Sequence, residues 1–208
     1  MKRLLPYKYF GLLFFPLIIA LLVWQEADAK LLRDLSQFFP KDALSNQERV
    51  IYFAFSEDKD LKITIRQQKE MARAIVRSAD RLDLPDGTTL GGLLPSESLF
   101  LFVISKIRSN HGTNQIENGK YGILSLSEKK IKDLETKTGS MIDRKFDIYN
   151  YNIQYKIAII LFKEALSTGL TTKQAYFELF DLPSNSDEWN RLETYYVDLH
   201  KKLIVSSE

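Results

Sequence analysis

The chain has no cysteine and only two histidines, His111 and His200, in 208 residues. The first absence excludes a disulfide framework, thiolate metal sites, a cysteine nucleophile and an N-terminal lipid-modified cysteine. The second leaves no pair of imidazoles at metal-ligand spacing, and neither a metal nor a cofactor is expected. A surplus of one charge is also missing: Lys plus Arg number 29 against 27 Asp plus Glu, a formal charge of +2. No basic stripe of the kind nucleic acid requires is present, and nucleic acid is not an expected partner. Glycine (9) and proline (6) are too few for a collagen-like or low-complexity chain. What is abundant is apolar: 45% hydrophobic residues, with 12% aromatics, suffice for one packed domain.

The N-terminus has its own pattern. Lys2, Arg3 and Lys8 precede fifteen mostly apolar residues from Phe10 to Trp24, and Ala27-Asp28-Ala29 then supplies the small-x-small sequence read by a signal peptidase. At 1.5 Å per residue the apolar run spans about 22 Å, short of the ~30 Å hydrocarbon core. Export is expected by either of two routes. Residues 1–29 are a cleaved signal peptide, or they remain as an inner-membrane anchor with Trp24 at the interface.

Residues 30–45 are expected to form an arm broken by Pro40, and residues 46–208 a mostly α domain. The apolar positions Ile65, Met71, Ile75, Ala79 and Leu82 recur at helical spacing, predicting a helix over 63–82. Pro85-Asp86-Gly87-Thr88 ends it, and Pro95-Ser96-Glu97 opens the next in the manner of an N-cap. Leu99 to Ile107 is nearly all apolar, so this helix should be buried on most of its circumference. A polar loop with three glycines follows, then a short helix after Ser127. Tyr151 to Leu166 is a second strongly apolar helix, Thr171 or Thr172 caps another, and 187–204 form the last. Strand signals are confined to ITI at 63–65 and GILSL at 122–126.

The order of these pieces carries a resemblance. SKIRS (105–109), GKYGILSLS (119–127), YNIQYKIAIILFKEAL (151–166) and ETYYV (193–197) resemble, in order and rough spacing, the lysozyme-like domain of the SLT-type lytic transglycosylases. AIVRSADRLDLP (74–85) is similar to that family's first helix. The resemblance spans about residues 65–203 and implies a lysozyme-like helical fold with at most a small hairpin. It also implies peptidoglycan glycan strands as the ligand. By it, Arg108, Ser109, Gly119, Tyr121, Gly122, Ser125, Asn152, Tyr155 and Lys156 are candidate groove residues, with Tyr149, Tyr151 and Lys120 beside them.

The departures fall on the chemistry. The family's single essential glutamate, before the serine that ends the core helix, corresponds to Arg108. Its glutamine in the glycine loop corresponds to Ser125, its later glycine to Lys156 and its tyrosine to Ile159. A glycosidase of this kind needs one protonated carboxyl to release the leaving oxygen, and the same group then serves as base. A guanidinium has no proton to give at neutral pH and accepts none. No catalytic residue is therefore expected at this position. Glu117, in the polar loop, is a low-ranked substitute that lacks the apolar surroundings needed to hold a proton. Glu97 and Glu128 read as first-turn helix charges, His111 as a solvated loop imidazole and His200 as a surface residue. Arg108, Lys120 and Lys156 would make the groove positive, or Arg108 would pair with a neighbouring acid. Three readings follow: a non-catalytic, peptidoglycan-contacting or scaffolding envelope protein; an active enzyme with a relocated acid; or a purely protein-binding subunit.

Overall fold

Five helices begin at residues whose side chains close the first turn. Ser45 and Glu48 form a reciprocal capping box at the start of α1 (Asn46–Ser56), and Thr64 with Gln67 does the same for α2 (Ile65–Ala79). Ser127 accepts from the Lys130 amide at the start of α4 (Glu128–Thr138), and Asn150 caps α5 (Tyr151–Ser167). Thr171 with Gln174 forms a third box before α6 (Thr172–Leu179). The remaining two are α3 (Glu97–Ser109) and α7 (Glu188–Val205). These elements are those of a computed structural model that describes residues 43–58, 61, 63–112, 116–117 and 119–205. The export pattern and most of the arm lie outside the described residues. Among the described residues no helix is long and apolar enough to cross a membrane.

The domain from Leu44 onward is mostly α. Its core is built on α3, where every residue from Leu99 to Ser105 is buried, and each large apolar side chain there contributes roughly 1.5–3 kcal/mol. α3 packs against α2 and α7, while α5 packs against α2 and α6. The Phe100 and Phe162 rings join α3 to α5 edge-on, 6.0 Å between centroids. The segment 63–65, which reads as strand from composition, instead supplies the cap and first residue of α2.

A small hairpin was the most the sequence suggested; three two-residue strands are present, β1 (Ile116–Glu117), β2 (Lys120–Tyr121) and β3 (Leu126–Ser127), in an antiparallel meander. The four residues between β2 and β3 turn through two left-handed conformations, Gly122 (φ 70°) and Ser125 (φ 47°). At Gly122 a Cβ would lie 2.6 Å from the Ile148 carbonyl and would overlap the Gln154 amide. Only glycine fits there, and this fixes the meander against the start of α5.

Candidate functional site

The C-terminal end of α3 is where the resemblance places its catalytic acid, and here it carries an ion pair. Arg108 Nη1 donates to both carboxylate oxygens of Glu188, at 2.7 and 3.0 Å. Its Nη2 donates to the Ser125 carbonyl at 3.4 Å, and the guanidinium carbon lies 4.5 Å from the centre of the Phe180 ring. The Arg108 side chain is only 5% exposed. Tyr176 Oη donates to Glu188 Oε1 at 2.6 Å, so the carboxylate is held from two sides. Burial, reinforced by Glu188, pushes the Tyr176 hydroxyl far up. Of the two expectations for Arg108, the paired one describes the structure.

Ser125 does not stand in for a groove amide. Its hydroxyl donates to the Arg108 carbonyl at 2.9 Å, which ties the meander to the end of α3. Ser109 is buried and its hydroxyl donates to the carbonyls of Ser105 and Ile123. Gly119 is exposed in the turn, with Lys120 and Tyr121 half-buried on β2.

Several expected placements are corrected. Tyr155 does not face a groove: it is wholly buried, and burial drives its hydroxyl upward with Ser105 pulling weakly the other way. Lys156 is exposed on α5, in a solvent stripe with Asn152 and Ile160, and lends no charge to Arg108. The physical reason is phase, since Tyr155, Ala158, Ile159 and Phe162 take the buried face of the helix. His111 is not a solvated imidazole. It is fully buried in a left-handed conformation (φ 58°), its ring between Phe55 and Phe102 at 4.8 and 4.6 Å, with Nδ1 2.8 Å from Ser105 Oγ. Burial, and then repulsion from Lys106, hold its pKa well below the usual value. His200 is half-buried and stacks on Tyr196.

Two of the other candidate carboxylates are engaged. Glu97 accepts from the Leu84 amide at 3.2 Å, closing the connection before α3 as well as charging its first turn. Glu128 pairs with Arg144 at 3.1 Å. Glu117 lies on β1, and its side chain is outside what the structure describes. Among the described residues no three or more His, Asp or Glu gather as metal donors.

Two open clefts flank these features. One, about 880 Å³, runs between α3 and α7 and is lined by Lys106, Arg108, Asn110, Asn190, Arg191 and Tyr195 among others. Lys106 is paired there with Asp58, and burial with Asp58 nearby pushes the Tyr195 hydroxyl up to about 12. The other, about 540 Å³, collects Tyr149, Tyr151 and Asn152 with Arg73 and Arg77 of α2. No residue lines both. Of the candidates read as one groove, Arg108 and Ser109 line the first cleft, Asn152 lines the second, and the other six line neither.

Comparison with protein-family models, curated proteins and solved structures finds no match.

Glu188, Tyr176 and Phe180 were not among the residues picked out by sequence. Glu188 opens α7 after the Pro183–Ser186 turn, where an acid reads as ordinary first-turn charge. Nothing local marks it as the partner of a residue eighty positions earlier.

Proposed function

We propose that this chain is a non-catalytic, lytic-transglycosylase-like protein of the cell envelope. In this reading it is exported to the periplasm or held at the inner membrane, and it contacts peptidoglycan or scaffolds an envelope-spanning assembly such as a secretion or flagellar machine. One observation carries the non-catalytic part: the position that must hold a proton donor holds Arg108, locked by Glu188 and covered by Phe180. Glycan cleavage of this type depends on general acid catalysis worth about 10² to 10⁴ in rate, which Arg108 does not supply.

The test is digestion of purified peptidoglycan by the full chain, with chromatography of the products. No anhydro-muropeptides are expected from the wild type or from Arg108→Glu. In the variant, the shorter carboxyl stands beside Glu188 without its guanidinium, and no groove amide positions a substrate against it. Product from the wild type that disappears in Glu117→Gln would establish a relocated acid, and product from Arg108→Glu alone would show a groove still built for sugar.

The same ion pair favours a second reading, in which the former groove is a protein interface and glycan is not bound. Co-sedimentation with insoluble peptidoglycan separates the two: retention in the pellet supports glycan contact, and full recovery in the supernatant supports the protein interface.

A further inference from the structure

The second cleft has a chemistry of its own. Arg73 and Arg77 stand one turn apart on α2 and both line it, so their Cβ atoms are roughly 5–6 Å apart. Arg73 is half-buried and Arg77 exposed, whereas the more deeply placed Lys106, Arg108, Lys130 and Arg144 are paired with Asp58, Glu188, Glu178 and Glu135. No acid pairs with Arg73 or Arg77 among the described residues. Among the described residues Glu70 is the one carboxylate lining the cleft, and it pairs with Arg66 at 2.9 Å.

The opposite wall is aromatic and fixed. Phe146 is 66% exposed, with Tyr149 and Tyr151 beside it. The loop that presents Phe146 does not owe its shape to chance collapse. Arg144 donates to Glu128, to Glu135 and to the Ile142 carbonyl, and the Asp143 carboxylate accepts the Lys145 amide at 2.6 Å. A preorganised aromatic wall facing two guanidinium groups requires no ordering on binding.

We infer that this cleft is the docking site for an acidic, extended segment of a partner protein, with carboxylates two residues apart and a large apolar side chain next to them. On one face of a strand, residues i and i+2 are about 6.8 Å apart, a spacing that matches successive arginines on a helix. The apolar side chain seats against Phe146 and Tyr149. A peptidoglycan stem peptide has carboxylates but no large apolar side chain, so it leaves that wall uncovered. The inference does not depend on the reading of the Arg108 end, because the two clefts share no residue.

The test measures binding of a fluorescent Ser-Glu-Thr-Glu-Phe-Gly peptide to the full chain by anisotropy, with circular dichroism confirming that each variant is folded. Arg73→Gln and Arg77→Gln should each weaken binding about tenfold, as loss of a charge-assisted hydrogen bond implies. Phe146→Ser should weaken it to a similar degree, and Lys163→Gln, on α5, should change nothing. Absence of binding overturns the inference, as does equal binding of the peptide with glutamines in place of both glutamates. Tighter binding, through the same arginines, of a stem tetrapeptide or of phosphatidylglycerol vesicles overturns it too. Glycan digestion and sedimentation results are unaffected by any of these variants if the inference holds.

Discussion

The Nδ1 atom of His111 lies 2.8 Å from the hydroxyl of Ser105, and the other ring nitrogen is buried without a hydrogen-bond partner. The Ser105 hydroxyl also lies 2.8 Å from the Phe102 carbonyl. If it donates there, its oxygen accepts from Nδ1–H and Nε2 carries a bare lone pair. Protonating that nitrogen would place a charge between two phenylalanine rings, next to Lys106.

Stability should consequently fall with acid in a defined window. The native imidazole holds its proton only well below the ordinary value of about 6.5, while the unfolded one takes it up near that value. The stabilisation is complete above pH 6.5 and declines as pH falls toward the native pKa, by about 1.4 kcal/mol per pH unit. Urea denaturation at pH 7.5 and 5.5 checks this. His111→Gln should be less stable at pH 7.5, with a flatter pH dependence; an unchanged slope would place the titrating group elsewhere.

The Arg108 and Glu188 pair should show strong coupling. Removing one partner of a buried ion pair leaves an uncompensated charge and costs about 3–5 kcal/mol. Glu188→Gln should approach that loss, moderated because the Glu188 side chain is 17% exposed. The double variant Arg108→Met, Glu188→Met should recover most of it. A double-mutant cycle from denaturant midpoints reads the coupling directly, and additive single effects would show that the pair is energetically inert.

Two glycines of the meander should respond differently to alanine. Gly119 (φ 73°) has nothing within 4 Å of its would-be Cβ, so Gly119→Ala costs only the backbone term of about 1–2 kcal/mol. Gly122 has a similar φ of 70° but faces the Ile148 carbonyl and Gln154. Gly122→Ala adds overpacking of about 1–3 kcal/mol. Denaturation of the two variants side by side isolates the crowding from the dihedral.

The loop that carries Phe146 has a titration signature. Hydrogen bonds from Arg144 and then from the Ile142 amide hold the Glu135 carboxyl down at about 2. Its contribution to stability is present above the unfolded value near 4.5 and is lost as pH falls toward 2. Carbon-13 NMR titration of the glutamate carboxyls should find one such depressed group, and Arg144→Gln should return it toward the ordinary range.

The main helices were legible because their phase is strong. The apolar run over Leu99 to Ile107 predicts a buried helix, and α3 is buried from Leu99 to Ser105. The caps at Thr64, Ser127 and Thr171 show why the boundaries came close. What failed was the placement of polar groups by sequence neighbourhood alone. Lys156 was put beside Arg108 by correspondence, although the apolar spacing of 155, 158, 159 and 162 already turns it to solvent. His111 looked solvated because its neighbours are polar, whereas its surroundings come from Phe55 and Phe102 on two other turns of structure. Glu188 was invisible for a related reason: a pairing across eighty positions leaves no local trace.

The last helix grips the central one at both ends. Glu188 holds Arg108, and the Tyr196 hydroxyl accepts the Ser96 amide at 2.8 Å where α3 begins. A growing chain still on the ribosome therefore exposes this central helix with neither end secured. Contacts this far apart in sequence close late and slowly. The nascent polypeptide stays in a state that chaperones can recognise until α7 has been synthesised.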